Sequence, residues 1–199
     1  MSEERLVKAL KKVVGMAPMN VFETNFNFKV KEVNLSVYKK LSKKTNKKLI
    51  TELSEGINLW QFPSEIALLD DNKKQILYYV QFKKQNVLSV PSITQIKLWR
   101  SPLIRYSISD GFSVTSYVFW KVLLPMATML VSDGLQTYAG RRFWEDQIAY
   151  AFKKGYHIYV IDQNRKTKKE LFFDEWENSK DYYWGDDEKF QAIKIGISE

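Results

Sequence analysis

The sequence predicts one α/β domain built on a mixed sheet. Three observations carry that reading. The chain has 199 residues, 45% hydrophobic and 15% aromatic, enough to bury a sizeable core without covalent staples. Its apolar residues switch between strict alternation and helical spacing. It shows no internal repeat, low-complexity segment or long linker, so residues 1–199 read as a single domain.

The elements follow in order. Ser2 to Val14 reads as an amphipathic helix with Leu6, Leu10 and Val13 on one stripe, stopped by Gly15 and Pro18. Residues 21–35 alternate Phe26, Phe28, Val30 and Val33 with Asn27, Lys29 and Lys31, a half-buried strand. Ser36 to Gly56 reads as one or two basic helices, with Val37, Leu41, Leu49, Ile50 and Leu53 as the apolar face and Gly56 as the stop. Glu65 to Leu69 and Gln75 to Phe82 flank Asp70-Asp71-Asn72, a hairpin signal, and Ser92 to Trp99 is a third strand.

Phe112 to Met126 has helical spacing, and Thr128 to Val131 is a short buried strand ended by Ser132-Asp133-Gly134. Gly140 to Lys154 is the clearest helix, with Trp144, Ile148 and Phe152 four residues apart and Gly155 at its end. Tyr156 to Asp162 and Lys169 to Phe173 form a second hairpin. Residues 174–188 read as acidic and irregular, and Phe190 to Ile197 as a last strand.

Composition excludes several chemistries. Without cysteine there is no disulfide, cysteine nucleophile or thiolate-bound metal. A single histidine, His157, excludes a histidine-rich metal site and reads as structural within its strand. The cluster Asp186-Asp187-Glu188 lacks the loop spacing of a cation site, so no metal is expected. No apolar run has transmembrane length and the N-terminus has no apolar signal core, so a cytoplasmic protein without membrane contact is expected.

Charge is uneven. Residues 1–50 hold twelve Lys/Arg against four Asp/Glu, an excess equal to the net +8 of the chain, whereas residues 170–199 hold nine acids and three bases. The chain thus divides into a basic N-terminal region (1–56) and an acidic C-terminal segment (174–199). Lys39, Lys40, Lys43, Lys44, Lys47 and Lys48 recur at helical spacing. On a helix they form a face for phosphates, or for an acidic host protein. The same lysines also serve the simpler role of solvating an exposed helix.

The turn after the short strand concentrates polar groups: Ser132, Asp133, Gln136, Thr137 and Tyr138 within seven positions. It lies between a strand's carboxyl end and a helix, where α/β sheets place ligands. Ser132, Asp133 and Tyr138 are the acid/base candidates there. The structural alternative is a turn at Asp133-Gly134 with Thr137 capping the helix.

In element order and in this turn, with Gly140, Phe143 and Trp144 after it, the chain resembles the GCN5-related N-acetyltransferase (GNAT) fold over residues 21–173. It also resembles degenerate GNAT-like proteins of bacteriophages. The resemblance implies a mixed, mostly antiparallel sheet flanked by helices, with Ser92 to Trp99 as central strand. It implies acetyl-CoA or another acyl-CoA as donor, held by Arg100, Arg105, Ser109, Gly111 and Ser113, and Tyr150 as proton source for the thiolate. The family's pyrophosphate loop, [RQ]-x-x-G-x-[GA], is here Arg105 to Gly111 with one glycine, and Asp110 there repels phosphate. Three functions follow as expectations: an acyltransferase acting on an amine of a protein or nucleic acid; a non-catalytic phage-type protein binding a host protein or nucleic acid; and a nucleic-acid-modifying transferase.

Overall fold

A computed structural model describes residues 28–101, 104, 113–133, 138–184 and 192–199, excepting the side chains of 96 and 97. The elements are α1 (Lys31–Ser42), β1 (Lys48–Ser54), β2 (Ile57–Gln61), β3 (Glu65–Asp70), β4 (Gln75–Val87), β5 (Val90–Arg100), α2 (Val114–Tyr117), β6 (Met129–Val131), α3 (Tyr138–Lys154), β7 (His157–Asp162), β8 (Thr167–Leu171), α4 (Phe173–Ser179) and β9 (Ile193–Ser198). The described strands form one nine-stranded sheet in the order β1-β2-β3-β4-β5-β6-β9-β7-β8. Each ladder is antiparallel except β5–β6, which is parallel. The mixed, mostly antiparallel α/β architecture expected from the sequence is therefore present. Among the described residues no helix is long and apolar enough to cross a membrane.

Turn chemistry builds the first half. Gly56 turns β1 into β2 at φ +75, and a Cβ there would meet the Asn72 amide at 2.7 Å. The buried Asp70 accepts from Lys73 N–H at 3.0 Å and from Gln75 Nε2 at 2.9 Å, which closes the β3–β4 turn. The long β4–β5 hairpin turns on Leu88 and Ser89, both at positive φ.

The sheet buries both faces. One face packs Tyr78, Val80, Phe82, Ile93, Ile195 and Ile197 under α2, its continuation and α3. After α2 the helix widens into a π-turn (Val118–Leu123) and tightens into a 3₁₀ turn (Leu124–Met126). The wide turn buries five of its six residues, and Trp120 donates to Gln147 Oε1 at 2.7 Å. On the other face α1 packs Tyr38 and Leu41 on Phe62, Leu69, Ile76 and Tyr79. Buried Asn34 fixes that helix by accepting from Ile76 N–H at 2.6 Å and donating to Ile76 C=O at 3.0 Å. Helix α3 ends as expected: Tyr156 N–H reaches Ala151 C=O and Gly155 N–H reaches Phe152 C=O, a Schellman cap with Gly155 at φ +75.

Four expectations are corrected. The strand expected over 21–35 is, in its described part, a turn followed by α1. Its alternation is short, and Asn34, Tyr38 and Leu41 bury on a helical period. The basic helices expected over 36–56 end at Ser42. Residues 48–61 are a hairpin, and Gly56 is its turn rather than a helix stop. Leu49, Ile50 and Leu53 imitate helical spacing, but pairing with β2 overrides it. The second hairpin returns over Thr167–Leu171, and Phe173 opens α4 instead. The stretch expected to be irregular forms, in its described part, α4 and a 3₁₀ turn (Lys180–Tyr183), with buried Trp176 anchoring it. The helix expected over 2–14 lies outside the described residues.

Candidate functional site at the opening between β5 and β6

Strands β5 and β6 pair through Ser92–Met129, Ile93–Leu130 and Thr94–Val131 only. Beyond Thr94, β5 runs on to Arg100, while β6 stops at Val131. The carboxyl ends of two parallel strands thus part, with Gln95–Arg100 on one lip and Ser132-Asp133 on the other. Such an opening is where α/β sheets receive ligands. Gln95, at the point of parting, is part-exposed, but its Nε2 is buried and has no hydrogen-bond partner among the described residues. A buried amide donor without an acceptor is costly, about 1–3 kcal/mol.

The second lip is held by β9. Ladder pairs Leu130–Ile197 and Val131–Gly196 continue into Ser132, whose N–H donates to Ile195 C=O at 2.9 Å. Ile195 N–H donates to Ser132 Oγ at 2.9 Å. Ser132 is 1% exposed. Its hydroxyl is an extension of the β6–β9 ladder, which explains a serine at this position without nucleophilic chemistry.

One residue on, this register continued past the Ser132–Ile195 bonds sets Asp133 across from Lys194, and the two charges act on each other. Both side chains are part-buried. Burial pushes the Asp133 carboxyl up to about 7, and the Lys194 charge offsets part of that rise. Lys194 is pushed below the ordinary lysine range by burial; Asp133 counters that shift and the Lys83 charge adds to it. Desolvation penalises both charged forms, so each group is drawn toward neutrality. A carboxyl with this midpoint is suited to proton transfer near neutral pH.

The remaining candidates spread out. Tyr138 begins α3 with its ring open to solvent, 76% exposed, and the Arg142 guanidinium 5.9 Å from its centroid. Arg100 ends β5 opposite Tyr78, a fully buried tyrosine whose hydroxyl has no partner and is pushed up by burial. Ser113 is the cap of α2: its Oγ accepts from Ser116 N–H at 3.2 Å. Arg105, Ser109 and Gly111 lie outside the described residues, as do Gln136, Thr137 and residues 186–188. Tyr150 packs on Trp120 with ring centroids 4.9 Å apart. His157 pairs at the surface with Glu170, 2.6 Å away. No metal-holding group of His, Asp and Glu occurs among the described residues.

The lysines do not share one helical face, because α1 ends at Ser42. Lys39, Lys40, Lys43 and Lys48 are exposed. Lys44 pairs with Glu65 and lies over Phe62; Lys47 donates to Ser42 C=O at 2.8 Å and lies over Trp60. Recesses of about 310 and 330 Å³ lie elsewhere, beside Lys47 and Phe62 and beside Lys84 and Pro91.

Sequence reasoning passed over Gln95, Lys83 and Lys194. The one available signal was Lys194 alternating with Ile193, Ile195 and Ile197, a charge set into an apolar strand. Only the β6–β9 pairing turns it toward Asp133.

Comparison of the chain with protein-family models, with curated proteins and with solved structures finds no match.

Proposed function

We propose that the chain is a GNAT-like acyltransferase that moves an acyl group from an acyl-CoA thioester to an amine. The observation that carries this reading is the parallel β5–β6 pair that parts after three residues with Asp133 on its lip. The order of elements supports it: after the five antiparallel strands β1–β5 come a helix, a parallel strand, a helix and a closing group of strands, as in the later part of the resembled fold.

In this mechanism Asp133, as carboxylate, takes the proton from the attacking amine. The amine nitrogen bonds to the thioester carbonyl carbon, the carbon–sulfur bond breaks, and the thiolate leaves with a proton. Calorimetric titration with acetyl-CoA and free CoA tests the reading. Micromolar binding, about −8 kcal/mol, is expected. No binding at millimolar ligand overturns it.

A second reading, a phage-type protein binding an anionic host protein or nucleic acid, is favoured by Lys39, Lys40, Lys43 and Lys48. These are exposed, and none makes an ion pair among the described residues. Reversing Lys39, Lys40 and Lys43 to Glu is expected to leave stability within about 0.5 kcal/mol. It is expected to weaken salt-dependent retention on an anionic partner. Unchanged retention removes this reading.

A further inference from the structure

We propose that Lys194 is itself an acyl acceptor, so that the protein acylates its own β9 at the mouth of the β5–β6 opening. The inference rests on the acyl-transfer reading for its donor, an acyl thioester, and on the geometry of β9 for its acceptor.

Lys194 is the only charged residue in β9, between Ile193 and Ile195. The ladder that pairs Val131 with Gly196, continued through the Ser132–Ile195 bonds, sets it across from Asp133, two residues past β6. It differs from the surface lysines that carboxylates hold. Lys169 and Lys180 are paired with Glu175 and Glu177, and both are pushed upward by those hydrogen bonds. Lys194 makes no ion pair within 4.0 Å among the described residues. The charges that act on it are Asp133 just past β6 and Lys83 from β4. Partial burial and a neighbouring cation are the two devices that turn a lysine into a nucleophile. Across from it stands a carboxyl suited to receive its proton.

The step balances without a further reactant. Neutral Lys194 Nζ attacks the acyl carbonyl carbon, a carbon–nitrogen bond forms and the carbon–sulfur bond breaks. The proton leaving Nζ passes by way of Asp133 to the departing thiolate. The products are an amide on Lys194 and a free thiol. An amide does not return the acyl group, so this is a lasting modification. It removes the positive charge that faces Asp133.

The test treats the full chain at about pH 8 with acetyl-CoA and, separately, with p-nitrophenyl acetate, an activated ester that needs no CoA contacts. Peptide mass spectrometry then ranks the lysines by rate. With both donors Lys194 is expected to be acetylated roughly tenfold faster than exposed Lys39 or Lys168. Lys194→Arg should lose that adduct while keeping the thermal midpoint. If the aryl ester labels Lys194 no faster than Lys39, the inference is overturned, even when calorimetry shows acetyl-CoA bound. Preferential labelling by the ester without any acetyl-CoA binding supports Lys194 as acceptor and removes CoA as the donor.

Discussion

The two halves of the sheet are built by different rules. From β1 to β5 each strand pairs with the next one in sequence, through short connections. From β5 to β8 the chain doubles back. β6 joins in parallel after a long crossover, and β9, last in sequence, slides between β6 and β7. In the first half, polar side chains complete turns and caps: Asp70 closes a turn and Asn34 bonds the β4 backbone. In the second half pairing runs out before the strands do. There Ser132, Asp133 and Lys194 meet along the β6–β9 seam, and Gln95 lies on β5 just past the last paired residue. The candidate chemistry sits where topology leaves the sheet incomplete.

The largest expected effect tests that contrast at the opening. Asp133→Asn should reduce acyl transfer by about 10²–10⁴-fold, the usual worth of a positioned base. The native rate should rise with pH through about 7, as the carboxyl ionises, and the variant should lose that rise. Stability supplies an independent check. Burial lifts Asp133 from 3.8 to about 7, so the folded chain holds a proton that the unfolded chain releases. The stability that this proton contributes is full below about pH 4 and is lost as pH rises through about 7. Asparagine does not ionise, so the variant's thermal midpoint should climb relative to the native chain across that window. A constant difference between the two midpoints would show that Asp133 is not held neutral by burial.

A second substitution strikes the meander. Asn34→Leu removes the partner of both the N–H and the C=O of Ile76 beneath α1. Unsatisfied buried backbone groups cost about 1–3 kcal/mol each, so a loss of roughly 2–4 kcal/mol is expected in chemical denaturation. Acyl transfer by the folded fraction should be unchanged, because Asn34 bonds the backbone of Phe28 and Ile76 rather than Asp133 or Lys194. A variant that folds as well as the native chain would separate α1 from the stability of the sheet.

How much was legible follows the same division. The β3–β4 hairpin, α3 with its Gly155 cap and the short strand before Ser132 could be read directly, because their signals are local: Asp-Asp-Asn, a four-residue apolar period, a glycine after two lysines. The β1–β2 hairpin was not. Leu49, Ile50 and Leu53 carry a helical period, and only the partner strand shows that Ile50 and Thr51 serve a β-edge. At the site, Asp133 was legible as a carboxylate at a strand end. Its raised midpoint and its facing Lys194 were not, since burial and the Lys194 charge depend on β9 arriving from sixty residues away. Nor could composition distinguish Lys44 and Lys47, which are engaged by Glu65 and Trp60, from the exposed lysines beside them.

The smallest expected effect separates neighbours that look equivalent in sequence. Ser132 and Asp133 are adjacent polar residues after a buried strand, and both are candidates for acid/base work. The geometry divides their roles. The Ser132 hydroxyl accepts from Ile195 N–H in a fully buried position, so Ser132→Ala strands one backbone donor and removes one ladder bond. A loss of about 1–3 kcal/mol is expected by thermal or chemical unfolding. The pH dependence of acyl transfer should keep its midpoint, because Asp133 still ionises. If Ser132→Ala abolished transfer in protein shown to be folded, the hydroxyl would have a chemical role and the seam would hold two functional groups. If it only lowers stability, the β6–β9 seam is a support for Asp133, and the boundary between structure and chemistry falls between residues 132 and 133.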